Sequence, residues 1–113
     1  DSLRYFTFST SQLGIDFINV PNSYILSQNY PNPFNPVTTI TYELANQEFV
    51  NLVVYDVNGN LIKNLISDVR GPGKNYVNWD GTNTANDNVS GGVYFYRIDT
   101  ESYRSTKKMI LLK

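Results

Sequence analysis

The chain has 113 residues, a net charge of −1, and neither cysteine nor histidine. That length suits one domain with a modest core, and the composition excludes disulfides, thiol chemistry, Ser-His-Asp catalysis and the common zinc sites. The near-zero charge argues against nucleic-acid binding, and no apolar run approaches the roughly 20 residues of a membrane-spanning helix. A surface rich in Asn, Ser and Thr favours an extracellular or cell-surface location.

The first twenty residues contain two short runs of strand-forming residues, at 3–8 and 15–20. They do not share the pattern that follows them. We interpret residues 1–20 either as the end of a preceding passenger domain or as an N-terminal extension of one or two short strands. The sequence leaves this choice open.

Residues 21–36 read as a linker rich in proline and asparagine. Pro31, Pro33 and Pro36 each fix their own φ and bias the preceding residue away from the α region. They also lack backbone N–H groups, so the stretch cannot be a central strand. We predict a stiff, extended segment, with Tyr30 and Phe34 packing on the base of the domain that follows.

Apolar and polar residues alternate from Val37 onward, which is the pattern of half-buried strands. Ile40, Tyr42 and Leu44 share one strand face, and Asn58-Gly59 is a sequence typical of a tight hairpin turn. The predicted strands are 37–44, 50–54, 61–66, 75–79, 93–99 and 105–112.

Six strands joined by turns predict an all-β fold, an immunoglobulin-like antiparallel β-sandwich over residues 37–113. We place Trp79 between the two sheets, with Val54, Tyr94 and Tyr96 around it. Both faces of the last strand carry apolar residues, so we expect it to be buried on at least part of both faces. We list no cofactor and no metal site.

Five motifs occur in order along the chain. They are Tyr30-Pro31-Asn32-Pro33-Phe34-Asn35-Pro36, Val54-Tyr55-Asp56 with Gly59, Trp79-Asp80-Gly81, Gly92-Val93-Tyr94-Phe95-Tyr96-Arg97, and Thr106-Lys107-Lys108-Met109-Ile110-Leu111-Leu112-Lys113. Together they resemble the C-terminal sorting domain of the type IX (Por) secretion system of Bacteroidetes and related phyla. That family is similar in fold to the immunoglobulin-like domain of the flagellar hook-capping protein.

The resemblance implies a non-catalytic module that directs a cargo protein through the periplasm to the cell surface. Its implied partners are the outer-membrane translocon and a cell-surface sorting peptidase. The edge of the last strand is a plausible docking strip, because strand edges carry unpaired N–H and C=O groups. The implied sorting-signal residues are Tyr30, Pro31, Asn32, Pro33, Phe34, Asn35, Pro36, Gly92, Tyr94, Tyr96, Lys107, Lys108, Met109, Ile110 and Leu111.

Two other functions stay open. A structural subunit of an extracellular fibre or surface layer would use residues Leu3 to Val20 for self-association by strand complementation. An enzyme or carbohydrate-binding fragment would use stacking surfaces supplied by the tyrosines Tyr24, Tyr30, Tyr55, Tyr76 and Tyr103, if these rings cluster on the outside.

Single polar residues have simpler interpretations. We read Asp80 as a turn residue that binds backbone N–H groups two positions on, and Asp56 and Asp99 as solvated turn carboxylates rather than an acid–base pair. Oxygen atoms that suit Ca²⁺ occur in the loop at Asp80, Asn83, Asp87 and Asn88, but without the ordered spacing of a calcium loop.

Overall fold

The computed structural model describes residues 23–113, which form seven strands and no helix. The predicted strands at 3–8 and 15–20 lie outside the described residues. The seven strands are β1 (Ile25–Leu26), β2 (Thr38–Leu44), β3 (Glu48–Tyr55), β4 (Leu61–Arg70), β5 (Gly73–Trp79), β6 (Gly92–Asp99) and β7 (Arg104–Leu111).

The strands form two antiparallel sheets, with the orders β1-β2-β5 and β4-β3-β6-β7. Their inward faces share one core, because every second residue of β2, β3 and β6 is buried. Ile40, Tyr42 and Leu44 are fully buried, as the alternation predicted. This arrangement confirms the immunoglobulin-like β-sandwich.

Strand β4 is longer than the sequence predicted, ending at Arg70 rather than at Ile66. Its last four residues are mostly exposed, so they carry no alternation that a pattern could detect. They become a strand because β3 supplies their partners, with Phe49 opposite Val69. Two register shifts in this pair also disturb the period of β4.

The hairpin predicted at Asn58-Gly59 joins β3 to β4. Gly59 has a φ of +84°, in the left-handed region that favours glycine, and its N–H donates to the Asp56 carbonyl at 3.0 Å. The Asp56 carboxylate accepts the N–H groups of Asn58 and Asn60, each at 2.9 Å. These hydrogen bonds lower the pKa of Asp56, the Asn60 N–H contributing most. Asp56 is therefore a turn carboxylate, as predicted.

Trp79 lies between the two sheets and is 1% exposed. Its ring meets that of Tyr94 edge-on at 5.3 Å, and its indole N–H donates to the Thr82 carbonyl at 2.9 Å. Val54 and Tyr96 belong to the same buried cluster. The predicted core is confirmed, and the one polar group of the tryptophan is satisfied.

Strand β7 has one buried face and one solvent face. Met109 and Leu111 are buried, whereas Lys108 is exposed, Ile110 is half-buried and Leu112, just past the strand, is 51% exposed. The predicted burial is therefore confirmed for the inward face, whereas on the outward face only Ile110 is partly buried. The reason is that only the inward face of this sheet meets the second sheet.

The segment predicted to be a linker instead packs on the sandwich over its described part. Ile25 and Leu26 form β1 and pair with Glu43 and Tyr42 of β2, and Leu26 is 4% exposed. A strand of two residues is too short to give a periodic signal. The boundary placed at residue 20 lies outside the described residues.

Glycine substitutions test the hairpin geometry. Gly59→Ala should destabilise the fold by about 1–2 kcal/mol, because its φ is positive even though a Cβ there meets nothing within 4 Å. Gly71→Ala is the matched control, since that site is equally open but does not have a positive φ. Urea unfolding should show Gly71→Ala unchanged or slightly stabilised. Equal losses at both sites would contradict this account of the turn.

Candidate functional site

Residues 27–36, which we call the strap, cross from one sheet to the other. Near β1, Ser27 N–H donates to the Thr41 carbonyl at 3.0 Å, and Tyr30 and Thr39 exchange two bonds of 2.9 Å. Phe34 then forms a parallel bridge with Leu111 of β7. The strap therefore contacts the edges of both sheets on the same side of the sandwich.

The prolines of the strap fit this path. The backbone N–H groups of the strap that donate to neighbouring strands are those of Ser27, Tyr30 and Phe34, while Pro31, Pro33 and Pro36 have none to offer. The peptide bonds that precede the three prolines are cis. The proline spacing thus leaves N–H groups where the two sheets need them.

The strap covers the outer edge of β7 near its end. Phe34 N–H donates to the Ile110 carbonyl at 3.0 Å, and Leu112 N–H donates to the Phe34 carbonyl at 2.8 Å. Two side chains continue the cover: Asn32 Oδ1 accepts from Ile110 N–H at 3.0 Å, and Gln28 Nε2 donates to the Lys108 carbonyl at 2.7 Å. The open docking edge expected from the sequence is therefore wrong for this half of β7, because another part of the chain pairs with it.

The two aromatic residues of the strap have opposite environments. Phe34 is 1% exposed and its ring centre lies 5.7 Å from that of Trp79, which confirms its predicted packing. Tyr30 is 81% exposed, so its predicted packing is wrong. Tyr30 pairs with Thr39 of β2, and cross-strand partners point to the same face of a sheet. Thr39 is next to Ile40, which points into the core, so Thr39 and Tyr30 point to solvent.

A buried polar network lies beneath the strap. Asn29 is 2% and Thr38 1% exposed. The Asn29 backbone N–H donates to the Tyr96 hydroxyl at 2.8 Å, and its side-chain amide donates to Thr38 Oγ1 at 2.9 Å. Tyr96 in turn donates to the Ser27 carbonyl at 2.6 Å, and Thr38 to the Pro31 carbonyl at 2.8 Å. Each polar group named here has a partner, which holds the strap in one position.

Sequence reasoning missed Asn29 and Thr38. A signal existed for Thr38, because it has the same parity along β2 as the inward-facing Ile40. A second signal was the predicted burial of Tyr96, whose hydroxyl must then find a partner. Asn29 carries no local sign of its role.

Three predicted signal segments lie side by side in the structure. β6, with Gly92 opposite Leu111 and Tyr94 opposite Met109, pairs along one edge of β7. The strap pairs along the other edge. Segments 28–36, 92–97 and 106–112 therefore form one continuous side of the sandwich.

The Trp79-Asp80-Gly81 motif supports the same side. Asp80 Oδ1 accepts the N–H of Thr82 at 3.2 Å and its hydroxyl at 2.6 Å, so the predicted turn is confirmed. The Thr82 hydroxyl, and to a smaller degree the Lys63 charge, lower the pKa of Asp80. Gly81 is buried with a φ of +77°, and a Cβ there would lie 3.4 Å from the Pro36 carbonyl and 3.5 Å from Leu111.

The other acidic and amide side chains serve local structure. Asn83 Oδ1 accepts the N–H groups of Ala85 and Asp87, each at 3.0 Å. Asp99 forms ion pairs with Arg97, at 2.9 Å, and with Arg104. The prediction that Asp99 is a solvated turn carboxylate is therefore wrong. Within residues 23–113, no group of three or more His, Cys, Asp or Glu side chains is placed to hold a metal ion.

Of the five tyrosines, two stack on each other, and two others are exposed on the solvent face of the three-stranded sheet. Tyr24 and Tyr103 stack on each other at 5.4 Å, and Arg97 lies 5.3 Å above the ring of Tyr55. Tyr30, which pairs with Thr39 of β2, is 81% exposed, and Tyr76 of β5 is 68% exposed. The carbohydrate-binding hypothesis gains no support from these positions.

The fold and this composite edge define a small β-sandwich module whose marked segments meet on one side. The family described as the secretion system C-terminal sorting domain matches residues 28–112, and the chain belongs to this family. The match begins in the strap and ends just past β7. The chain is therefore a sorting domain of type IX secretion, which implies secretion to the cell surface. Residues 23–113 contain no helix long and apolar enough to cross a membrane.

Solved structures share the fold at low identity. Dimeric latent PorU from Porphyromonas gingivalis aligns with a TM-score of 0.65 and 19% identity, covering 85% of this chain and 10% of that one. PorZ, an essential surface component of the type IX system of the same organism, gives 0.54 and 18%, covering 76% and 11%. FlgD from Pseudomonas aeruginosa gives 0.54 and 14%, covering 82% and 74%. The chain thus spans about a tenth of PorU and PorZ, and no curated protein matches it.

The buried aromatic of the strap can be tested against its exposed neighbour. Phe34→Ala should destabilise the domain by about 3–5 kcal/mol, because it leaves a cavity beside Trp79. Tyr30→Ala, four residues earlier in the same motif, should change stability by less than about 0.5 kcal/mol. Urea denaturation measures both. Equal effects would show that the strap does not pack as described.

The buried hydroxyl of Tyr96 predicts a loss of stability at high pH. Burial raises the pKa of Tyr96 to about 12, from an ordinary value of 10.0. The folded state holds the phenol proton more tightly than the unfolded state, so this contribution is complete below pH 10 and is lost as pH rises toward 12. The free energy of unfolding should fall by about 2 kcal/mol across that range through this group.

The control for this prediction is Tyr96→Phe compared with Tyr76→Phe, whose ring is exposed. Tyr96→Phe should be less stable at neutral pH and should flatten the decline between pH 10 and 12. Tyr42, whose pKa burial also raises, adds a decline of the same sign that both variants retain. The same pH slope in wild type and Tyr96→Phe would contradict the prediction.

Proposed function

We propose that this domain acts as a non-catalytic address that the outer-membrane translocon and a cell-surface sorting peptidase of type IX secretion recognise. One observation carries the proposal: the strap, β6 and β7, which are far apart in sequence, meet on one side of the sandwich. These three segments contain the residues that the resemblance marks as a signal. The cargo's own activity is independent of this domain.

The absence of catalysis is part of the proposal. Three carboxylates have structural partners: Asp56 and Asp80 hold turns, and Asp99 pairs with two arginines. The hydrogen bonds that they accept lower the pKa of Asp56 and Asp80, which opposes a role as a proton donor at neutral pH.

The signal residues divide into two roles. Buried ones shape the site, and exposed ones are available to a partner. We assign the first role to Phe34, Tyr94, Tyr96, Met109 and Leu111, which are at most 6% exposed. We assign partner contact to Lys108 and Ile110 on the solvent face of β7, whereas Tyr30 is exposed on the solvent face of the three-stranded sheet.

We also propose that the folded sorting unit begins with β1 rather than after residue 36. β1 and the strap supply backbone bonds to both sheets. Residues 1–20 would then belong to a passenger or to an extension of this domain. The fibre-subunit hypothesis, with self-association through Leu3 to Val20, is not favoured by the family match.

The test is export of a reporter fused to the 113-residue chain in a type IX-competent host. Deleting residues 107–113 should abolish appearance of the reporter on the cell surface. The double variant Lys107→Ala and Lys108→Ala should reduce it about tenfold if the lysines contribute to recognition. Lys74→Ala, an exposed lysine on β5, is the matched control and should export normally.

Folding and recognition must be separated in this experiment. The double variant keeps all the backbone bonds of β7, so its unfolding midpoint should match wild type. If the deletion left export unchanged, the domain would not be the address. If the double variant exported normally while folded, the lysines would be surface residues without a role in sorting.

A further inference from the structure

The edge of β7 is closed by the chain itself from Lys108 to Leu112. Four outward backbone groups are hydrogen-bonded to the strap: the carbonyls of Lys108 and Ile110, and the N–H groups of Ile110 and Leu112. A partner strand that paired with this stretch would have to displace Gln28, Asn32 and Phe34. The most direct mode of strand recognition is therefore blocked here.

Opening the edge would disturb more than these bonds. Phe34 packs against Trp79, so lifting it would expose a ring that is now 1% exposed. The strap also carries Asn29, whose bonds to Tyr96 and Thr38 are buried. Opening the edge of β7 would therefore disturb both the apolar core and the buried polar network.

The solvent face beside this edge has a definite chemistry. Lys108, Ile110 and Leu112 alternate along one strand and share this face. Across the β6–β7 pair, Phe95 lies opposite Lys108 and Val93 opposite Ile110, and both are half-buried. The result is an apolar strip with lysine at its border.

The charge on this strand has one sign. Residues 104–113 contain four basic residues and no acidic residue, although the whole chain has a net charge of −1. Arg104 is already paired with Asp99, which leaves Lys108 and Lys113 exposed near the strip. Complementarity calls for an acidic partner surface.

We propose that the type IX machinery binds this edge in its closed state, through side chains, with a protein groove that has an apolar floor and an acidic rim. The inference rests on the proposed sorting function. It differs from strand addition in one respect that can be measured: the strap stays in place when the partner binds.

The decisive variant loosens the closed edge without altering the apolar strip or its lysines, and it leaves the two Phe34 backbone bonds in place. Gln28→Ala combined with Asn32→Ala removes the side chains that cap Lys108 and Ile110. If the closed edge is recognised, export of the reporter should fall about three- to tenfold, because the strap loses its fixed position. If a partner strand pairs with β7, the same variant should raise export, because two of the groups that compete for this edge are gone.

Gln47→Ala is the control for this variant, since Gln47 is an exposed amide outside the strap, β6 and β7. It should leave export unchanged. Unfolding midpoints exclude misfolding, and a milder Asn32→Ala variant serves if the double variant is unstable. Raised or unchanged export would overturn the inference, while loss of export on deleting residues 107–113 would still support the proposed function.

A binding measurement tests the chemistry of the groove. The probe is outer-membrane vesicles from a type IX-competent host, compared with vesicles from a host that lacks the system. Lys108→Glu should weaken binding to the first about tenfold, and added salt should weaken the wild type, whereas Lys74→Glu should bind normally. Equal binding to both vesicle types would indicate lipid and would overturn the inference. So would dimerisation of the free chain that depends on Ile110 and Leu112.

Discussion

Phe34 connects the strap, β7 and the three-stranded sheet through its backbone and its ring. Its backbone N–H and carbonyl join the strap to β7, while its ring packs against Trp79 of the three-stranded sheet. Trp79 in turn meets Tyr94 of the four-stranded sheet. One residue therefore couples the closed edge of one sheet to the aromatic contact between both. Removal of any member of this chain of contacts weakens the others.

The polar network under the strap fixes the position of the strap more narrowly than the apolar contact of Phe34 alone would. Burial of Phe34 alone would tolerate small shifts of the strap, because apolar packing is not directional. Asn29, Thr38 and Tyr96 remove that freedom, since each hydrogen bond specifies a distance and an angle. By contrast, the buried Tyr42 hydroxyl has no partner among the described residues, and it contributes desolvation cost without such specificity.

The parts of the fold that the sequence predicted are those with a local signature. Alternation predicted the buried faces of β2 and β6, and Asn58-Gly59 predicted the hairpin, because each depends on neighbours within a few residues. β1, the end of β4 and the path of the strap have no such signature. They are decided by pairings such as Gln28 with Lys108, 80 residues apart in sequence. The motifs could therefore be found one by one, but their meeting on one edge could not.

Two adjacent lysines that look equivalent in the sequence point to opposite faces of β7. Lys107 lies opposite the buried Tyr96 and is itself half-buried, whereas Lys108 lies opposite Phe95 and is exposed. Neighbouring residues of a strand point to opposite faces, so a partner on the solvent face meets Lys108 and not Lys107. The two lysines therefore do not act as a doubled charge on one surface, because only Lys108 lies on the solvent face.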